Sequence, residues 1–428
     1  MALTGRLPLL LAAGLLPVLV RPQQSTVWLW LLVVVLLAAV DVLAAPRPRS
    51  LEVVRTDPPT TRLGEPTTAL LEVRAARRAR GVLRDAWQPT AGADGRRHRL
   101  RLDPGRPQRV RTELVPRRRG DLRALGVTVR LVGPLGLAAR QATLDVPGRL
   151  RSLPAFGSRR HLPSRIARLR ELDGRAAVRV RGQGTEFDSL RAYVRGDDIR
   201  SIDWRASART RETVVRTWQP ERDRRVVLLL DTSRIAAARV DDVPRLDSAM
   251  DAALLLAALA SRAGDRVEVV AGDRRVRARL ALRGTGDVAA RLQESLADLE
   301  PELVEADWDR LVADLVGRRR GRALVVLLTP LEPASVEQGL LPVLPVLTRH
   351  HRVVVASVRD PGLARLAAVR DDGASVHQAA AAEQALARRA RTAQVLGRLG
   401  VDVLDVDAEA LPPALADHYL ALKARGLL

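Results

Sequence analysis

Apolar residues follow a different pattern in each stretch of the chain, and each pattern predicts a different structure. Two nearly continuous apolar runs open the sequence, at 7–20 and 27–45, the second broken only by Asp41. Adjacent runs of this length predict a transmembrane helical hairpin over 1–46. From 47 to 155 the apolar runs become short, alternating or β-branched, as at 69–73, 108–114, 126–131 and 141–146. Pro, Gly and Asp clusters at 63–66, 91–95 and 103–107 separate them, which predicts strands and a small β-sandwich-like domain. After about 225 continuous Val/Leu strands alternate with helical stretches. Strands are expected at 225–230, 266–271, 275–282, 323–329, 352–358 and 401–406, and helices at 246–263, 286–299, 379–399 and 412–424. The fold class is therefore α/β, with a largely parallel sheet covered on both faces in its C-terminal domain, 225–428. Ligands of such sheets lie at the carboxyl ends of the strands, where Asp231 and Thr329 fall.

The first apolar run is short for a span, and a secretory signal peptide competes with the hairpin for it. The hairpin is expected because no small-residue cleavage site follows Val20 and a second span comes directly after. Trp28 and Trp30 stand where interfacial anchors would. Arg6 precedes the pair and Arg47, Arg49 and Arg55 follow it, whereas the loop has only Arg21. The positive-inside rule then places both ends, and the soluble body, in the cytoplasm of a two-span membrane protein.

Composition removes several chemistries. The chain has 428 residues with no cysteine, so thiol nucleophiles, disulfides, iron–sulfur clusters and thiolate zinc sites are excluded. Of 71 basic residues only Lys423 is a lysine, which removes the Walker phosphate loop and Schiff-base catalysis. This Arg bias has the look of a GC-rich genome, so the net charge of +22 is weak support for nucleic acid. Its distribution says more. Residues 47–155 carry 24 Arg against 10 acids, 156–225 carry 18 against 10, and 226–428 carry 27 against 28. The positive half adjoins the membrane, so an anionic membrane surface is an expected partner and nucleic acid is not.

Between the β and α/β regions lies the segment 156–224, which holds five of the ten aromatic residues. Its core reads Gly184-x-Glu186-Phe187, Leu190-Arg191-x-Tyr193, Gly196-Asp197-Asp198-x-Arg200-x-Ile202-Asp203-Trp204 and Ala206-x-Ala208-Arg209. With Arg118-Arg119-Gly120, Pro134-Leu135-Gly136-Leu137, Asp231-Thr232-Ser233 and Tyr419-Leu420-x-x-Lys423-x-Arg425-Gly426, the chain resembles the domain-of-unknown-function family fifty-eight. That resemblance implies a membrane-tethered protein with a von Willebrand A-like (Rossmann-like) C-terminal domain. It also implies association with a MoxR-type AAA+ ATPase, and sometimes with a transglutaminase-like membrane protein. It implies no established activity.

The residues themselves point to binding more than to catalysis. Glu186, Asp188, Asp197, Asp198 and Asp203 interleave with Arg191, Arg195, Arg200, Arg205 and Arg209, and such Arg–carboxylate forks fix loops more often than they do chemistry. A rigid loop of this kind presenting Tyr193 and Trp204 makes a docking surface, so Glu186, Phe187, Arg191, Tyr193, Asp197, Asp198, Arg200, Asp203, Trp204 and Arg209 are the expected partner-binding residues. No catalytic residue is expected, and the function read is a non-enzymatic adaptor. The alternative is a divalent-ion-dependent ligand-binding membrane protein. Its ion site would be a degenerate one, drawn from Asp231, Ser233 and Thr285, in which Ile235 replaces a second serine and Arg234 stands beside it. Mg²⁺ prefers six oxygen ligands, so this set is poor and no cofactor is expected. The bland reading of Asp231 is a strand-end carboxylate capping a turn.

Overall fold

The computed structural model describes residues 2–179, 186–195, 197–210, 212–219, 224–282, 284, 286–317 and 321–428. The chain divides into two compact units, Met1–Leu153 and Pro154–Leu428.

In the first unit one helix, Gln24–Ala44, is long and apolar enough to cross a membrane, and the stretch holding it has a mean hydropathy of 2.7. Its 21 residues rise about 31 Å, matching a hydrocarbon core. The first apolar run forms two shorter helices, Arg6–Ala13 and Leu15–Val20. They meet at Gly14, where a side chain would collide with the Trp30 indole. Trp30 thus fills a helix–helix contact instead of lying free as an anchor, while Trp28 stays exposed.

Two antiparallel sheets follow. One joins Ala79–Trp87, Arg97–Leu102, Gly120–Val132, Ala138–Leu144 and Arg149–Leu153, and the other joins Glu52–Thr56, Thr67–Arg74 and Gln108–Leu114. Alternation along each strand turns Leu71, Val73 and Val110 of one sheet toward Leu83, Leu100, Val129 and Leu131 of the other, and together they form one apolar core. A buried ion pair crosses this domain. Arg55 Nη2 lies 2.7 Å from Asp85 Oδ1, Trp87 Nε1 donates to Asp85 Oδ2 at 3.0 Å, and the Arg55 guanidinium sits 4.9 Å from the Trp87 ring centre.

The helices are tied to this domain at one turn, residues 133–138. The Asp41 carboxylate, near the end of the long helix and fully buried, accepts from the backbone amides of Leu135 (2.7 Å), Leu137 (2.7 Å) and Ala138 (2.8 Å). A Cβ at Gly133 would collide with that carboxylate, and Gly136 needs its φ of +75°. The strand Ala2–Leu3 pairs with Ala138–Leu144, and Thr4 Oγ1 donates to the Gly136 carbonyl at 2.6 Å. Both ends of the helical pair therefore return to the same turn of the β domain.

The second unit is built on a six-stranded sheet. Numbering its strands in chain order from Arg225–Asp231, the spatial order is 3-2-1-4-5-6, and only the edge strand Val276–Leu282 runs antiparallel. Val226, Leu228 and Leu230 face the helices Arg245–Arg262 and Leu411–Ala424. Val227 and Leu229 face Trp308–Gly317 and Leu341–Thr348. Burial on both faces explains why these strands read as unbroken apolar runs. The strands lie within a residue or two of expectation, but two helices begin elsewhere because their caps decide. Asp287 accepts from the Ala290 amide, so that helix starts at Val288. Asp372 and Ser375 form a reciprocal capping box, so the Ala-rich helix starts at Gly373, six residues before the Ala run suggests.

Replacing Asp41 by alanine should leave the Leu137 and Ala138 amides buried without acceptors and free the half-buried Leu135 amide, lowering stability by on the order of 3 kcal/mol. Asparagine offers one accepting oxygen in place of two, and should cost less. Thermal unfolding of the detergent-solubilised chain, with hydrogen exchange at 135–138, checks both.

Candidate functional site

The signature segment folds as a small hairpin-like module. Glu186–Ala192 pairs antiparallel with Val214–Gln219, and the connection carries the turn Ile199–Ser201 and the helix Trp204–Thr210. Three of its carboxylates, Asp197, Asp198 and Asp203, hold that connection. Asp197 takes a two-pronged contact from Arg191, at 2.6 and 2.8 Å, and a third bond from the Val194 amide at 2.9 Å. Asp198 accepts from the Arg200 amide at 3.0 Å and caps the turn. Asp203 caps the following helix through the Arg205 and Ala206 amides, both at 3.0 Å, and accepts from Arg216 Nε at 2.8 Å. Ser207 closes the module, donating to the Asp203 carbonyl and accepting from the Val214 amide. The Arg191 guanidinium, then the Val194 amide, hold the Asp197 carboxyl below the ordinary range. The Ala206 amide, then Arg216, do the same for Asp203.

Apolar side chains remain outside this network. Leu190, Val194, Ile199 and Trp204 are exposed, Trp204 at 68 % and Ile199 at 66 %. Tyr193 is half-buried, while Arg200 and Arg209 are exposed. Glu186 and Phe187 stand on the first strand of the module, and Phe187 pairs with Trp218 across it.

A second cluster sits where the sheet strands end. Asp231 Oδ2 accepts from the Thr329 hydroxyl at 2.6 Å, and Oδ1 accepts from the Ser233 amide at 2.8 Å. Thr232 donates to Asp273 Oδ2 at 2.7 Å, and Asp273 also meets Arg277 Nη1 at 3.3 Å. All five of Asp231, Thr232, Ser233, Asp273 and Thr329 are buried. Burial, with the Asp273 charge adding to it, pushes the Asp231 carboxyl up, against the opposing pull of Thr329 and Ser233. The cation facing Asp231 differs from the one expected. Arg234 turns away to an ion pair with Glu305, while Arg245 lines the same small pocket as Asp231 and Thr329. Thr285 lies outside the described residues. Among those described, no group of three His, Asp or Glu side chains is placed to hold a metal.

Residues 189–394 match the family model described as "Protein of unknown function DUF58". The DUF58 match takes in most of the signature module, both strand-end loops and five of the six sheet strands. No curated protein matches the chain. Among solved structures, the "ASH / PapD-like domain of human CEP192 (PapD-like domain 7)" aligns at 18 % identity over 26 % of this chain and 91 % of its own length, with a TM-score of 0.20. A likeness that low carries no argument.

In the α/β unit one feature escapes a reading of the sequence. Arg389, on the helix Gly373–Arg398, is buried against the ends of two strands. It holds Asp405 with two 2.7 Å contacts and donates to Ser357 Oγ, which in turn accepts from the Leu331 amide. The run Arg388-Arg389 looks like solvated helix surface, and only the sheet order shows which arginine turns inward.

Both Asp197 and Asp203 have depressed pKa values, so their stabilisation is complete above the ordinary carboxylate value of about 4 and is lost as the pH falls through the lower folded values. Hydrogen exchange of residues 203–216, corrected for intrinsic rates, should stay protected from neutral pH to about 5 and open only in stronger acid. Asp203→Asn should show that opening already at neutral pH.

Proposed function

We propose that this protein is a membrane-anchored, non-enzymatic adaptor that docks a MoxR-type AAA+ ATPase through its signature module and a von Willebrand A-like domain. One observation carries the reading. Asp197, Asp198 and Asp203 are engaged in fixing the module, while Trp204, Ile199, Val194 and Leu190 are left facing solvent. Rigid loops that hold apolar and aromatic anchors outward are what an interface needs, because little ordering entropy remains to be lost on binding. The expected contact set adds Glu186, Phe187, Arg191, Tyr193, Asp197, Asp198, Arg200, Asp203 and Arg209, of which Arg191, Asp197 and Asp203 act by holding the fold of the module. The von Willebrand A-like reading is supported by the 3-2-1-4-5-6 order with an antiparallel third strand. The two-span hairpin is supported by the return of both helix ends to the 133–138 turn, and the cytoplasmic placing of the body by the arginines that flank it. A transglutaminase-like membrane protein is a further partner that the family resemblance implies.

The divalent-ion reading has one feature in its favour, a buried Ser233 hydroxyl beside Asp231 that has no well-formed partner among the described residues. Against it, the Thr329 hydroxyl occupies one Asp231 oxygen, burial favours the neutral carboxyl, and Arg245 lines the pocket. A divalent cation would have to displace these interactions with few ligands to replace them.

Two measurements test these readings. Tagged full-length protein, purified from solubilised host membranes, should enrich a AAA+ ATPase, and Trp204→Ala/Ile199→Ala should cut the enrichment by roughly ten-fold or more without altering the melting temperature. Retention of the ATPase by that variant would remove the module from the interface. Millimolar Mg²⁺ or Mn²⁺ should leave the melting temperature of wild type and Asp231→Asn unmoved, and a rise confined to wild type would revive the ion site.

A further inference from the structure

The sheet built on Ala79–Trp87 and Gly120–Val132 has one face in the core and one in solvent, and register makes the solvent face a lattice of arginines. Arg80 stands directly across from Arg101, Val82 across from Arg99, and Arg84 across from Arg97. On the other side Val82 faces Arg130. All six arginines are exposed, and among the described residues none makes an ion pair; Arg130 alone is held, by Gln141 Oε1 at 2.8 and 3.0 Å. Rows of this lattice repeat about every 7 Å along the strands and about every 4.8 Å across them. Like charges placed directly opposite each other destabilise a sheet, so two Arg–Arg pairs on one face work against folding.

The other sheet of the same domain shows the ordinary arrangement. There Glu52 faces Arg74, Glu72 faces Arg109, and Glu72 forms ion pairs with both Arg74 and Arg109. Between the two sheets, opposed like-charged pairs therefore occur not on the mixed-charge face but on the arginine face. That face begins at the end of the sheet to which the long apolar helix is fastened: Arg80 pairs with Val132, next to the turn that Asp41 grips. A membrane crossed by that helix would lie at this end of the lattice.

We propose that the face formed by Arg80, Arg84, Arg97, Arg99, Arg101 and Arg130 is a docking surface for the anionic phosphates of the membrane in which the chain is anchored. This inference rests on the anchoring reading of the Gln24–Ala44 helix. A plane of phosphates presents many acceptors to closely spaced guanidinium groups, and each guanidinium binds phosphate through paired N–H donors. The surface lacks aromatic side chains on which nucleotide bases would stack, which favours a lipid plane over a single-stranded polynucleotide.

The absence of cysteine allows a direct test. Full-length Val82→Cys places a single thiol at the centre of the lattice, and Val54→Cys places one on the mixed-charge sheet. Each is reconstituted in vesicles of phosphatidylcholine alone or with about one-third phosphatidylglycerol, and the rate of reaction with a water-soluble maleimide is read. Val82→Cys should slow by roughly five-fold or more in the anionic vesicles only and recover in about 0.5 M NaCl, while Val54→Cys should not change. Adding Arg80→Gln, Arg84→Gln, Arg97→Gln and Arg101→Gln should abolish the protection and leave the melting temperature equal or higher. Carbonate extraction reports separately on anchoring. Integrated protein whose Val82→Cys rate ignores lipid charge overturns the docking face and spares the anchor. If the protein is extracted instead, anchoring fails, and the same vesicles added from outside decide the face on their own. Protection by duplex DNA but not by anionic vesicles would also overturn the proposal.

Discussion

A carboxylate can be buried only if its oxygens find donors, because the alternative is to lose hydration with nothing in return. The first unit depends on one such group. Asp41 stands in an apolar helix where a charge is costly, and it is kept there by three amides of a turn that lies more than ninety residues away. Two glycines make the approach feasible: Gly133 leaves room for the carboxylate and Gly136 adopts the positive φ that aims the following amides. The contact converts a flexible connection between helix and β domain into a fixed one. The orientation of the arginine sheet relative to the long apolar helix is then set by the fold and not by a linker.

The same solution recurs in the rest of the chain. Asp85 is held by Arg55 and Trp87, Asp203 by two amides and Arg216, Asp231 by Thr329 and the Ser233 amide, and Asp405 by Arg389. Each joins elements distant in sequence or closes a loop. Removing one partner of a buried pair leaves a charge without compensation and costs about 3–5 kcal/mol, whereas an exposed pair such as Arg370–Glu383 matters little.

What the sequence made legible was local. Strands at 225–231, 266–272 and 352–359 follow from continuous Val and Leu runs, and 108–114 follows from strict alternation, since those periods depend on neighbours a few residues apart. The helix Leu162–Arg179 was hidden, because a dense Arg pattern masks its apolar stripe of Leu162, Ile166 and Leu169. Asp41 reads as a flaw in a hydrophobic run and Pro134–Leu137 as a motif of no stated purpose; nothing local says that they belong together. At the site, Asp231 and Thr329 were placed at strand ends by pattern alone, but their mutual hydrogen bond depends on strands 1 and 4 being neighbours, which is a fact of topology. The expectation that Arg234 would crowd the ion position failed for a similar reason, since its partner Glu305 comes from the loop after the helix Val288–Leu296.

Charge placement shows why composition alone misleads. If the arginine excess came only from genomic bias, it would spread evenly over every solvent-facing position of the β domain. One sheet instead balances Glu52, Glu72 and Glu113 against Arg74, Arg109 and Arg111, while in the other the outward positions of Ala79–Trp87, Arg97–Leu102 and residues 128–132 carry six arginines and no acid. Codon bias explains why a cation is Arg and not Lys; it does not explain why two Arg–Arg pairs face each other at a cost in stability. A cost borne on one face and avoided on the other calls for a benefit specific to that face. The sheet domain of the second unit is nearly neutral, with 27 basic against 28 acidic residues in 226–428, so the same composition bias is compatible with balanced charge.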